Sequence, residues 1–146
     1  MNNPIENFLT AVDEQEVIAA IVQAEQHTSG EIRVHLESSC SNHSEERTLE
    51  IFHALNMHAT QKRNAVLIYV AVVDHVFTIY GDEGINAVVP SDFWDATKDI
   101  IEGYFKQGQF KNGLINGIKN IGLELKSHFP WDANDKNELT NTISKS

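Results

Sequence analysis

Apolar and polar positions alternate with two periods along this chain, and together they mark a helix, a strand, a helix, two strands and two helices. Val17, Ile21 and Ala24 fall on one helical face, widened by Ile18 and Val22. Asp13 and Glu16 fit a capping box at its start, with Val12 and Val17 as the flanking hydrophobic staple. Thr28-Ser29-Gly30 ends it, Gly30 suiting a left-handed cap. Ile5, Phe8 and Leu9 suggest a short helical turn upstream. Residues 31–38 alternate, with Ile32, Val34 and Leu36 on one side and Arg33, His35 and Glu37 on the other, the pattern of a half-buried strand. After a polar loop, residues 45–59 read as a helix along Leu49, Phe52, Leu55 and Ala59.

Residues 65–73 are apolar without interruption, so they form a central strand covered on both faces. Asp74-His75 breaks the run before a second strand at 76–80, which makes a hairpin. Beyond a loop at 81–90, Ser91 is expected to cap a helix that buries Trp94, Ile101 and Phe105 and stops at Gly108. Leu114, Ile118, Ile121 and Leu125 stripe the last helix, which Phe129-Pro130 ends. Its Gly113, Gly117 and Gly122 cost about 1 kcal/mol each against alanine, a loss that close packing would explain. This order predicts an α/β fold: a three-layer α/β/α sandwich with a small mixed central β-sheet and helices on both faces. The expected division is an N-terminal segment at 1–12, the folded domain at 13–129 and a polar, flexible tail at 130–146.

Composition narrows the function classes. A chain of 146 residues, 41% apolar, is long enough for one core without covalent staples. Eleven Lys and Arg against twenty-one Asp and Glu give a net charge of −10. That balance argues against a nucleic-acid surface and against anionic lipid, and it favours cations as partners. The longest apolar run has nine residues, about half of a membrane helix, so direct membrane insertion is not expected. The N-terminus has neither the basic nor the apolar region of a signal peptide, which points to a soluble, cytoplasmic protein. Cys40 stands alone and forms no intrachain disulfide.

Familiar catalytic motifs are absent. The residue six positions after Cys40 is Glu46, where a Cys-based phosphatase loop needs Arg; Arg47 misses by one. Gly108 to Gly113 has the spacing of a phosphate-binding loop, but Leu114 stands where Lys is required. Standard zinc spacings are missing, and Asp132-x-Asn134 meets Ile143 where a calcium loop needs Glu. The seven histidines are scattered and read as surface residues, with His35, on a strand beside Arg33 and Glu37, the one to watch. One anomaly remains. Residues 64–97 contain no Lys or Arg yet hold Asp74, Asp82, Glu83, Asp92 and Asp95. Caps and turns explain part of this. Carboxylates crowded without basic partners also suit a hard divalent cation, with Gly81 and Gly84 letting the backbone turn.

Thr28-Ser-Gly-Glu-Ile-Arg-Val-His-Leu36, Thr60-Gln-Lys-Arg-Asn-Ala-Val-Leu-Ile-Tyr-Val70, Gly81-Asp-Glu-Gly-Ile85, Asp92-Phe-Trp94 and Phe105-Lys-Gln-Gly-Gln-Phe-Lys-Asn-Gly-Leu114 follow one another in this order. Over residues 13–129 the chain resembles the TPM domain family, as a stand-alone, soluble member. The resemblance implies an α/β/α sandwich and divalent-metal sites, calcium first, where two loops cross near the sheet edge. The 81–90 loop and the 58–64 connection are the candidate loops. Carried over to this sequence, the implied ligands are Asp82 first, then Asp92 and Asp95, then Glu83 and Asn64. Some members are credited with acid phosphatase activity.

Two functions follow. In the first, the chain is a non-enzymatic calcium-binding module: the metal orders two crossing loops and controls binding of an unknown protein partner. In the alternative, it is a metal-assisted phosphomonoesterase. That reading needs a second positive group near the phosphate, for which Lys62, Arg63 and Lys98 are the nearest cations in sequence.

Overall fold

The structure, a computed structural model, describes residues 3–41, 43–132 and 138–146. Its centre is β2 (Ala65–Ala71), buried at every position. Successive strand residues point to opposite faces. Val66, Ile68 and Val70 therefore enter one core, beside Ile32, Val34 and Leu36 of β1 (Glu31–Glu37). Ala65, Leu67, Tyr69 and Ala71 enter a second core on the other face. β1 pairs with β2 in parallel, from Glu31↔Ala65 to Glu37↔Ala71. β3 (Val76–Gly81) returns antiparallel on the other side, from Ala71↔Val76 to Val66↔Gly81. A short parallel edge, β4 (Ser144–Lys145), completes the order β3-β2-β1-β4.

In chain order the helices are α1 (Pro4–Phe8), α2 (Ala11–Glu25), α3 (Ser44–Ala54), the short α4 (Glu83–Asn86), α5 (Asp95–Lys106) and α6 (Phe110–His128), with a 3₁₀ turn, Met57–Ala59, after α3. Phe8, Val17, Ile21, Ile101, Leu114, Ile118, Ile121 and Leu125 cover the first face of the sheet, whereas Ile51, Phe52 and Met57 cover the second. This is the expected three-layer sandwich around a mixed sheet. The α6 glycines are explained by close packing: a Cβ at Gly117 would lie 2.6 Å from Ile101, and one at Gly122 would lie 2.9 Å from Ala24.

Several local expectations are corrected. α2 begins three residues earlier, with Thr10 as N-cap and Asp13 as its reciprocal partner, so Val12 points to solvent instead of stapling the turn. Gly30 is not left-handed; positive φ among the described glycines occurs at Gly108, where α5 gives way to α6. The helix expected to reach residue 59 stops at Ala54, because Asn56 turns left-handed at φ 56°. The buried stripe of α3 is Thr48, Ile51 and Phe52, and Leu49 is left partly exposed. α5 starts at Asp95 rather than after Ser91; residues 91–94 form a turn, and no side chain caps the helix.

The largest correction concerns β1 and the tail. β1 is covered on both sides, since Glu31, His35 and Glu37 are buried along with its apolar residues. The cover over its polar side is the C-terminal segment. Leu139 packs on the second core, its N–H donates to Glu31 at 2.7 Å, and Ser144 and Lys145 pair with His35 and Leu36. Residues 138–146 thus belong to the packed domain; tail residues 133–137 lie outside the described residues.

Gly117→Ala should force Ile101 off its position and separate α5 from α6. Overpacking of this kind costs about 1–3 kcal/mol. Urea unfolding should show a lower midpoint with an unchanged slope; equal midpoints for the variant and the natural chain would contradict the close approach.

Candidate functional site

The hairpin register brings two loops together. Val66 pairs with Gly81, so the strands diverge at residues 65 and 82 and the flanking loops run side by side. The Asp82 N–H donates to the Ala65 carbonyl at 3.0 Å, and the Gly84 N–H donates to the Arg63 carbonyl at 2.8 Å. Contact is so close that a Cβ on Gly84 would lie 2.1 Å from the Lys62 carbonyl oxygen. Gly84 is required there because only a bare Cα clears that carbonyl. Arg63 itself sits in the left-handed region at φ 51°.

Asp82 closes this junction. It is 1% exposed and occupies the N-cap of α4, accepting from the Glu83 N–H at 2.8 Å. Both its oxygens also accept from Arg63: Nε at 2.8 Å and Nη2 at 3.1 Å. Two-pronged guanidinium–carboxylate contacts are among the stronger charge-assisted hydrogen bonds. This bond is the main reason that the Arg63 pKa is raised. Glu83 is largely exposed and stands 3.7 Å from Arg63 Nη1. The cation-free window therefore has its cation one residue upstream of its start. The signal was the hairpin: extending its pairing three residues outward from Val66 leads to Arg63.

Asn64 is buried and donates through Nδ2 to Ser29 Oγ at 3.2 Å, while Lys62 reaches the same hydroxyl. Asp92 lies in the turn before α5, and Asp95 is the first residue of that helix; both are exposed. Asp95 is placed to favour the positive end of the helix dipole. Asp74 accepts from Ser39 Oγ and the Cys40 N–H, both at 2.8 Å, which ties the hairpin turn to the loop after β1 and lowers the Asp74 pKa. Among the described residues, no three His, Cys, Asp or Glu side chains converge as a metal-holding group. At the crossed loops the oxygen donors are Asp82, Glu83 and the Lys62 and Arg63 carbonyls. Arg63 already engages both oxygens of Asp82 there.

A second polar cluster was not expected as a unit. Alternation along β1 turns His35 and Glu37 toward Tyr69 of β2, under α3 and the C-terminal segment. Glu37 accepts from Arg47 Nε at 2.9 Å and Nη2 at 2.5 Å, from Ser146 Oγ at 2.8 Å and from the Tyr69 hydroxyl. Burial by itself would raise the Glu37 pKa, but the bonds from Arg47, Tyr69 and Ser146 hold it down at about 2. His35 is 2% exposed, with Nδ1 2.9 Å from Ser144 Oγ and Nε2 2.7 Å from Ser146 Oγ. An ionised Glu37 only accepts, so the Ser146 hydroxyl donates to it and accepts from His35 Nε2–H. The ring is neutral at neutral pH, and Nδ1 then accepts from Ser144 Oγ. Burial, reinforced by Arg47 and Arg33 and opposed by Glu37, pushes its pKa down to about 4.

A model of the TPM domain matches residues 4–123, and the chain belongs to the TPM domain family. The solution structure of the BA42 protein from the psychrophilic bacterium Bizionia argentinensis is similar at 53% identity and a TM-score of 0.92, covering 97% of this chain and 98% of that one. The N-terminal domain of the cg2496 protein from Corynebacterium glutamicum shares the fold at 16% identity and a TM-score of 0.64, over 80% of this chain and 74% of that one. No curated protein matches. No helix of the described residues is long and apolar enough to cross a membrane.

The buried cluster sets a pH dependence. Both folded-state values lie below the unfolded ones, so both groups stabilise the fold at neutral pH. The His35 contribution is complete above its unfolded pKa of 6.5 and is lost as pH falls through about 4. The Glu37 contribution is complete above 4.5 and is lost as pH falls through about 2. Urea midpoints measured across this range should therefore fall steadily on acidification from pH 6.5. His35→Gln should flatten the upper arm of that curve; an unaltered profile would exclude His35 as its source.

Proposed function

We propose that this chain is a non-enzymatic binding module whose crossed loops respond to a divalent cation, calcium by preference, and thereby shape a surface for a protein partner. The observation that carries the reading is buried Asp82, held in a two-pronged contact by Arg63 where the two loops touch. A bound hard cation supplies positive charge to carboxylate and carbonyl oxygens. Arg63 supplies that charge from within the chain, so Arg63 and the cation compete for Asp82. Glu83 adds an exposed carboxylate beside them. Arg63 released from Asp82 leaves its guanidinium at the loop surface, which changes what the loops offer a partner. Asn64, Asp92 and Asp95 remain candidate ligands to be tested alongside.

The phosphomonoesterase alternative draws less support from the geometry. It needs cationic groups presented to a phosphate, and of the cations named for it Arg63 is engaged by Asp82 and Glu83 and Lys62 reaches Ser29 Oγ, which leaves Lys98.

The test is a calcium titration of chelator-stripped protein followed by amide NMR, with magnesium as control. Saturable shifts should concentrate at residues 60–64 and 82–86. Asp82→Asn should weaken binding about tenfold or more, as expected when a charged ligand is removed. Arg63→Gln should tighten it severalfold by removing the internal competitor. A spectrum that stays still up to millimolar calcium, or equal affinity in Arg63→Gln, would reject the reading.

A further inference from the structure

His53 and His58 are five residues apart, a spacing that places them on different faces of a continuous helix. The helix is not continuous. α3 ends at Ala54, Asn56 adopts φ 56° and ψ 30°, and the 3₁₀ turn carries His58 back beside His53. Backbone bonds hold both ends of this reversal: the Asn56 N–H donates to the His53 carbonyl at 3.0 Å, and the Ala59 N–H donates to the Asn56 carbonyl at 3.1 Å. The two Nδ1 atoms are left 3.3 Å apart, with ring centroids 4.8 Å apart and planes tilted by 53°. His53 is exposed and His58 half-buried, so the pair faces solvent from a partly fixed base.

We propose that His53 and His58 form a two-imidazole site for a borderline divalent transition metal of the zinc, nickel and copper class. Two nitrogens bound to one tetrahedral ion at ordinary metal–nitrogen distances lie about 3.3 Å from each other, the separation this pair already has. A direct hydrogen bond between the rings favours a shorter separation, about 2.9–3.0 Å, and requires one Nδ1 to carry a proton and the other to lack it. Imidazole nitrogen is a preferred ligand for this class of ion, whereas the carboxylate and carbonyl oxygens of the crossed loops suit hard cations. A net charge of −10 draws cations to the surface. Two protein ligands leave the remaining coordination positions to water, so the site is open and exchangeable. The proposal does not rest on the calcium reading, because the two sites share no ligand.

The experiment titrates tag-free, chelator-stripped protein with zinc chloride near neutral pH, reading heat and the imidazole NMR signals together. The expected result is one zinc per chain, with the rings of His53 and His58 shifting ahead of the other five. His53→Gln and His58→Gln should each weaken binding about tenfold or more. Acidification should release the metal, since protons compete for the same nitrogens. Asp82→Asn should leave zinc binding unchanged, which separates this site from the crossed loops. Zinc affinity unaltered in both histidine variants, or unmoved His53 and His58 rings at millimolar zinc, would overturn the proposal.

Discussion

A strand with no exposed residue leaves little freedom to whatever surrounds it. β2 is buried at all seven positions and hydrogen-bonded on both sides, so each of its faces needs an apolar layer and each of its edges a partner strand. Parallel pairing with β1 requires a crossover, and α3 fills that crossover while covering the odd-numbered side chains. The opposite face takes α2, α5 and α6, whose close approach depends on glycines in α6. The hairpin to β3 then determines which residues meet where the strands diverge. Layer order, helix spacing and the loop junction all trace to one fully apolar strand.

Charges inside this architecture are found where a polar alternation meets a covered face. The odd positions of β1 would suit solvent, but they lie beside the odd positions of β2 and under the returning C-terminal segment. Burying a carboxylate is costly unless it is paired and hydrogen-bonded. Glu37 satisfies that condition through Arg47, Tyr69 and Ser146, which come from a helix, a neighbouring strand and the chain's far end. Asp82 satisfies it through Arg63 and its own helix cap. In both cases one arginine, from α3 or from the loop before β2, pairs with the buried acid.

That arrangement changes how an acidic chain should be read for metal binding. A run of carboxylates without local basic residues suggests a missing cation, yet the hairpin supplies one from outside the run. At these loops the guanidinium of Arg63 already engages both oxygens of Asp82. The reading proposed for these loops is therefore an exchange between two positive groups, not the filling of a vacant acidic pocket. The imidazole pair at the end of α3 uses different donor chemistry, and it exists because the backbone reverses at Asn56.

Periodicity alone pointed to the main helices, three of the four strands, the hairpin and the mixed three-layer plan, since hydrophobic period is a local property of consecutive residues. The motifs quoted in order were sufficient to point to the TPM family. Other features depended on contacts distant in sequence. β1 is covered twice because residues 138–146 return to it. Arg63 meets Asp82 through strand register, and His53 meets His58 through a left-handed residue that no amphipathic pattern encodes. Local sequence specifies which face of each element is apolar; only the assembled layers decide which polar side chains are buried, and with what partner.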